Sequence, residues 1–250
     1  MLGTLSWELL DFESAVAGVP FGKLSCQFEA PGPELLAAAV DQWRDDGIWL
    51  VSCRIPEDWE QPKSALMAAG FYPVETLVTF QQARRPGDPS GTLIELGGPG
   101  DVDDCADLAI DAFTYDRLHR DENVPDAIAD AVRREWVKND LSGRAAAPLI
   151  ARADSRIAGF NFCLARGSVA VIDLIAVAPG FQRRGIARGL IEAAFAHFGD
   201  AIDGIQVGTQ ADNVASVKLY QAAGFQELRR ETTLHWVNPD PAARRIAEAV

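Results

Sequence analysis

Residues 173–195 read D-L-I-A-V-A-P-G-F-Q-R-R-G-I-A-R-G-L-I-E-A-A-F. An apolar, β-branched run ends at Pro179, which has no N–H with which to extend a ladder. After Gly185, apolar residues recur at helical spacing from Ile186 to Phe198. Strand, tight turn and helix in that order make a βα unit, which needs a sheet with a helix laid against it. The turn carries Gln182, Arg183, Arg184, Gly185, Ile186, Ala187 and Arg188. A helix start presents unpartnered N–H groups and the positive end of the helix dipole, so an anion is favoured there. Gly185 lets the main chain approach a phosphate closely, and Ala187 is small enough for the same purpose. Three arginines concentrate positive charge in a chain of formal net charge −13. The pattern is not a Walker loop, which ends in G-K-[ST], nor a dinucleotide fingerprint, which needs G-x-G-x-x-G. A basic surface turn ahead of a helix is the plainer alternative.

The surrounding elements alternate in type. Residues 148–153 and 157–165 read as strands joined by D-S-R, and 170–177 as a third. Residues 101–113 and 125–139 have helical periodicity, with Asp101 as the N-cap of the first and Pro125 in the first turn of the second. Further on come a strand over 205–208, a helix over 212–223 stopped at Gly224, and β structure over 225–237. Antiparallel strands followed by β-α-β-α-β predict an α/β chain of the α+β kind, with a mixed sheet flanked by helices. Residues 83–91, A-R-R-P-G-D-P-S-G, mark a linker, with a short strand over 92–96 beyond it, and divide the chain into 1–85 and 86–250. The first part holds a helix over 33–44, a strand over 48–55 and an internal echo. Residues 63–71, K-S-A-L-M-A-A-G-F, parallel 217–225, V-K-L-Y-Q-A-A-G-F, and each leads into a strand. A-A-G-F is also a common way to end a helix.

The acidic balance argues against nucleic acid or an anionic membrane surface as partner, since either would repel the chain. Cys26, Cys53, Cys105 and Cys163 are scattered, with no C-x-x-C and no metal-like pairing with the three histidines. They read as small core residues in a reducing compartment, with no metal expected. The N-terminal residues lack a basic start and apolar run, and no apolar stretch approaches the roughly 20 residues of a bilayer span. The expectation is a cytoplasmic protein.

Residues 174–187 resemble the signature of the GNAT superfamily of acyl-CoA N-acyltransferases, whose pyrophosphate loop is [QR]-x-x-G-x-[GA]. Gln182, Gly185 and Ala187 fill its fixed positions. Residues 208–225, G-T-Q-A-D-N-V-A-S-V-K-L-Y-Q-A-A-G-F, are similar to the family's N-x-x-[AS]-x-x-h-Y-x-x-x-G-F helix. The resemblance covers about 92–237. It implies a GNAT fold and catalysis in 86–250, with acetyl-CoA or another short acyl-CoA as cofactor. Residues 1–85 then become a partial GNAT-like domain without catalysis.

In this family the fourth and fifth strands splay and pantetheine lies in the gap. That implies main-chain contacts from Ile175, Ala176 and Val177, with the Ile175 N–H polarising the thioester carbonyl. The amides of Gln182 to Arg188 take the diphosphate. Asn213, with Ser216 beside it, binds cofactor from the next helix, although Asp212 or Asn213 would serve equally as a helix N-cap. Tyr220 stands where relatives place the general acid that protonates the leaving thiolate; an aromatic anchor is its alternative. Asp173 and His119 are the candidates for taking the amine's proton. Strand parity puts Asp173 on the face that some relatives use, and a solvent-facing carboxylate is its alternative. His119 lies in F-T-Y-D-R-L-H-R-D, which would otherwise be a charged interhelical loop.

A-F-x-x-x-R-h-H-x-D, the later R-E-W-V-K-N and the early L-x-W-E resemble the bacterial amino-sugar nucleotide N-acetyltransferases, such as the one acetylating TDP-fucosamine. The implied acceptor is a small-molecule amine, a dTDP-amino sugar, bound by Arg117, Arg120 and Asp121 to a monomer or homodimer. Two other readings stand beside it: a GNAT enzyme for a protein N-terminus, antibiotic or polyamine, and a non-catalytic acyl-CoA-binding regulator.

Overall fold

A computed structural model of the chain describes residues 4–27, 32–89 and 93–240. In order these form β1 (Thr4–Leu9), α1 (Asp11–Ala17), β2 (Phe21–Gln27), α2 (Pro33–Asp45), β3 (Leu50–Pro56), α3 (Glu60–Ala68), β4 (Tyr72–Ala83) and β5 (Ile94–Leu96). Then follow α4 (Val102–Ala112), α5 (Asp126–Asn139), β6 (Ala147–Ala153), β7 (Arg156–Arg166), β8 (Val169–Val177), α6 (Ile186–Phe198), β9 (Gly204–Gln210), α7 (Val214–Ala222) and β10 (Gln226–Val237). The mixed sheet flanked by helices is the expected α/β architecture. Ser90 and Gly91 of the expected linker, and Thr92 of the expected strand, lie outside the described residues. No described helix is long and apolar enough to cross a membrane.

The chain divides into two compact units that interleave in sequence. The first draws on residues 1–77, 115–132 and 230–250, and the second on 78–114 and 133–229. β4, α5 and β10 are each long enough to contribute residues to both units.

In the first unit the strand order is β1-β2-β3-β10-β4. β2 runs antiparallel to β1 and parallel to β3, and β3 runs antiparallel to β10. Leu36, Val40 and Trp43 form the apolar stripe of α2 and bury against Leu66, Cys53, Ile55, Leu234 and Trp236. The alternate residues of the same strands, Arg54, Glu75, Thr233 and His235, form a polar face joined by Arg54–Thr233 and Glu75–Thr233 hydrogen bonds at 3.0 and 3.1 Å. β1, α1 and β2 had no counterpart in the sequence reading. The apolar alternation of β1 is short, and α1 has seven residues of which only Ala17 is buried.

In the second unit the order is β10-β4-β9-β8-β7-β6-β5. β5 to β8 form an antiparallel meander, and β8 pairs parallel with β9. Helix α6 buries Leu190, Ile191, Ala194 and Phe195 against Ala147, Leu149, Phe80 and Val207. On the other face Cys105, Ala106 and Ala109 of α4, with Val137 and Leu141, cover Phe160, Phe162, Leu174 and Ala176. Asp101 precedes α4 but does not cap it by its side chain. Its carboxylate instead accepts from the Gly98 N–H at 3.0 Å and from Arg152.

The segment expected as a linker is fastened to α6. Arg85 donates to both oxygens of Glu192 at 2.6 and 2.9 Å and lies over the Phe195 ring at 4.4 Å. Gly87 is required there, since a Cβ would sit 2.2 Å from the Glu192 carbonyl oxygen.

The two echoed segments close their helices alike. Gly70 (φ 96) and Gly224 (φ 94) end α3 and α7 in the left-handed region. Phe71 N then donates to Leu66 O, and Phe225 N to Tyr220 O, each at 3.0 Å. Leu66 and Tyr220 are thus equivalent positions in two Gly-stopped helices.

Candidate functional site

β8 and β9 pair from Val169↔Gly204 to Ile172↔Val207 and no further, although each strand continues. The cause lies at Asp173. Across β7, Ile172 faces Cys163 and Leu174 faces Phe162, so Asp173 is the extra residue of a β-bulge. A bulge bends and twists its strand. Before it, Ala170 and Ile172 join the core beneath α6; after it, Leu174 and Ala176 join the core beneath α4, and Ile175 and Val177 turn to the α6 side. Parity counted through Asp173 from the sequence therefore does not hold, because the bulge exchanges the faces. Beyond Ile172, the β9-side edge of β8 at Ile175, Ala176 and Val177 is without a β9 partner.

From β8 the chain enters a 3-10 turn over Pro179–Phe181 and then the loop before α6. Arg183 has φ 62 and Gly185 has φ 82, whereas Arg184 between them is not in the left-handed region. Alternation of hand along a short loop gathers successive N–H groups into a concavity suited to an anion. A left-handed arginine costs roughly 1 kcal/mol, a strain that tends to persist at functional loops. Gly185 is the N-cap and has no side chain to fill the helix start; a Cβ there would meet nothing within 4 Å. Gln182, Arg183, Arg184 and Arg188 are exposed, Ala187 is half-buried, and Ile186 and Phe181 anchor the loop from below. The guanidinium of Arg184 lies 5.3 Å over the Phe181 ring. Gln182 turns back, its side-chain amide donating to Val177 O at 3.3 Å.

At the start of α7, Asn213 Oδ1 accepts from Ser216 N at 3.2 Å. The N-cap role therefore belongs to Asn213, and it engages the side chain's carbonyl oxygen. Tyr220 is buried, with its ring 5.9 Å from both Phe80 and Phe225. Its hydroxyl forms no hydrogen bond to a described residue. Burial, and then the Cys163 thiol, push the phenol above its ordinary value, so it remains protonated well beyond neutrality. Asp173 is half-buried and accepts from Arg144 Nη1 at 2.7 Å.

The acceptor-loop residues fall in the first unit, where the loop lies on the polar sheet face. Asp121 is buried, and its carboxylate accepts from the Tyr72 hydroxyl at 2.8 Å, His235 Nδ1 at 2.7 Å and Asn123 N at 3.0 Å. That holds its pKa below the ordinary carboxylate value against the opposing effect of burial. Asp121 is thus an interior anchor and not a surface ligand group. Removing its carboxylate strands the buried His235 ring nitrogen and takes the acceptor from the half-buried Tyr72 hydroxyl. Asp121→Ala is expected to cost about 3 kcal/mol in urea unfolding.

Arg117 faces Glu13 at 3.5 Å and its Nη1 is sealed from solvent without a partner. Arg120 is exposed. His119 has both ring nitrogens engaged, Nδ1 with Asp116 at 2.7 Å and Nε2 with Asp130 at 3.0 Å. These carboxylates, Asp116 first, raise its pKa against the effect of burial. Both ring nitrogens are thus engaged by carboxylates, and one of these bonds must open before the ring can take a proton from a ligand. A raised pKa stabilises below the unfolded value of 6.5 and is lost as pH climbs through the folded value. Amide exchange over residues 116–120, corrected for its intrinsic pH dependence, is expected to quicken as pH rises, and His119→Asn to abolish that trend.

Sequence reasoning missed Tyr72 and His235, which fix the loop, and Asp140 and Arg144, which stand beside Asp173. The alternation T-L-H-W over 233–236 carried a signal for His235, since it puts Thr233 and His235 on one face and Leu234 and Trp236 on the other. Among the described residues no group of three or more His, Cys, Asp or Glu is arranged to hold a metal.

A mixed sheet whose strands part beside a helix start open to an anion defines an α/β protein with a ligand-ready βα turn. Residues 103–225 match the acetyltransferase (GNAT) family and form a domain of that family. Over 144 residues, 55% of this chain, the sequence is 33% identical to the spore coat polysaccharide biosynthesis protein SpsD of Bacillus subtilis (strain 168). The match spans 49% of SpsD, about half of its length. Mycothiol acetyltransferase of Tsukamurella paurometabola is 26% identical over 217 residues, 80% of this chain and 70% of that one. A GCN5-related N-acetyltransferase from Sphaerobacter thermophilus shares the fold, with a TM-score of 0.65 at 16% identity over 93% of this chain and 76% of that one.

Proposed function

We propose that this protein transfers an acetyl or other short acyl group from acyl-CoA to a primary amine, and that the amine belongs to a nucleotide-linked amino sugar. The observation that carries the reading is the loop Gln182–Arg188, exposed and alternating in hand, with open space where a Gly185 side chain would be. These residues suit a diphosphate in both charge and shape, so the loop fits coenzyme A. The cofactor would supply an activated thioester carbonyl. Main-chain groups of Ile175, Ala176 and Val177, free of β9, would align its arm, with the Ile175 N–H aimed at that carbonyl. Asn213 and Ser216 would bound the arm from α7. Asp173 would take the amine's proton, and Tyr220, still protonated, would donate one to the departing sulfur.

An acidic chain with a locally basic loop suits a small anionic ligand better than a polyanion. The exposed Arg120 would meet the negative charge of a sugar nucleotide. A sugar acceptor is further supported by the name of the first relative, a spore coat polysaccharide biosynthesis protein. Another amine is the second reading, favoured by the relative that aligns with 80% of this chain and is named for mycothiol. Titration calorimetry with coenzyme A tests the loop. Acetyl-CoA with a panel of dTDP-amino sugars and other amines, read by mass spectrometry, tests the acceptor. No heat with coenzyme A would end the reading; binding without turnover of any amine would leave a regulator.

A further inference from the structure

Asp140 is a buried titratable group that the proposed chemistry does not use. It follows α5 at the head of a π-type turn, Asp140–Arg144, in which Gly143 takes φ 112. The turn brings Arg144 Nη1 to Asp140 Oδ1 at 2.6 Å and to Asp173 Oδ2 on β8 at 2.7 Å. One nitrogen therefore serves two carboxylates, one of them on the bulge where β8 leaves β9. Asp140 is fully buried, and its Oδ2 is sealed from solvent without a partner. That oxygen has no donor to favour the charged form. Burial, and then the charge of Asp173, push the Asp140 carboxyl up to about 6, while Arg144 opposes them. The titratable groups acting on it are Asp173 from β8 and Arg144 in its own turn, and its charge in turn acts on the Cys163 thiol of β7.

We propose that Asp140 is a positioning residue for acyl transfer. Ionised, it shares the Arg144 guanidinium with Asp173; protonated, it cedes the guanidinium to Asp173 and masks that carboxylate from an incoming ammonium. The inference rests on the reading of Asp173 as the group that takes the amine's proton. Arg144 stays charged throughout, and the proton that Asp140 gains or loses exchanges with solvent. Because the two carboxylates share one donor, a change of charge at Asp140 alters the hydrogen bonding at Asp173.

Carboxyl 13C NMR of the full chain labelled at aspartate tests this, with the two resonances assigned from Asp140→Asn and Asp173→Asn. The Asp140 resonance is expected to titrate near pH 6, and that of Asp173 to move over the same interval. In Asp140→Asn, the Asp173 resonance loses that movement. Arg144→Gln, at a partly exposed side chain, uncouples the two and decides the matter where Asp140→Asn does not fold. The acid-side rise of kcat/KM with acetyl-CoA and an amine of the panel vanishes in Asp140→Asn, Asp140→Glu restores it, and the Kd for coenzyme A does not change. An Asp173 resonance that keeps its movement without Asp140, or an Asp140 that does not titrate near pH 6, overturns the proposal. Full activity of Asp173→Asn would instead remove the base reading on which it rests. A slow Asp173→Asn with unlinked resonances removes this inference alone.

Discussion

Tyr220→Phe is expected to lower kcat by about 10²–10⁴-fold, the range associated with loss of a positioned general acid. The KM for acetyl-CoA and the Kd for coenzyme A should stay within about twofold, because the lost interaction belongs to the transition state alone. The fold should hardly notice the change. The Tyr220 ring packs on Phe80 and Phe225, which a phenylalanine ring can do as well, and its hydroxyl bonds to no described residue. The melting temperature is therefore expected to shift by less than that of an ordinary core substitution. The raised pKa adds a second check: wild-type kcat should show no alkaline limb from Tyr220 below pH 10, since burial keeps the phenol protonated there. Steady-state kinetics on any amine of the panel, with thiol release followed, read both. Unchanged kcat in Tyr220→Phe would reduce Tyr220 to the aromatic anchor that its packing also describes.

The site was legible in the sequence to the extent that its physics is local. Pro179 ends a strand and Gly185 opens a helix because of what those residues can do with their own backbones, so the βα turn could be read from residue types. The same holds for Gly70 and Gly224, which stop two helices with nothing but a permitted φ. Asp173 shows where this fails. The run V-A-V-I-D-L-I-A-V is apolar on both faces, so no alternation betrays a bulge. The resulting exchange of faces is visible only once Leu174 and Ile172 are seen in different cores.

The acceptor loop fails differently. Its charges suggested a surface that meets ligand, yet Asp121 is fixed from inside by Tyr72 and His235, both remote in sequence. Residue type cannot separate a carboxylate that binds ligand from one that buries itself among donors. Asp140 was hidden for a related reason: D-L-S-G-R reads as a polar end to a helix until Arg144 is seen to be shared with β8. The interleaving of the two units in sequence is likewise marked by no composition break, since β4, α5 and β10 each give residues to both.

Gly185→Val is expected to weaken coenzyme A binding by at least about 100-fold while leaving the chain folded. At φ 82 a β-branched residue is strained, by roughly 1–2 kcal/mol. Spread over a chain of 250 residues, that lowers the melting temperature by only a few degrees. Since the added side chain meets no protein atom within 4 Å of its Cβ, there is no clash to repack. The space it takes is the space proposed for a phosphate. Hydrogen bonds to a charged group contribute about 1.5–3 kcal/mol each, so displacing two loop amides accounts for about two decades of affinity or more. Gly180→Ala is the control: it stands in the preceding turn outside the left-handed region, with an equally open Cβ, and should bind within about twofold of wild type. Calorimetry and a thermal melt on the same samples give both numbers. If Gly185→Val binds coenzyme A as tightly as Gly180→Ala, the diphosphate does not lie on this loop, and an acyl donor held by main chain at the start of α6 is excluded.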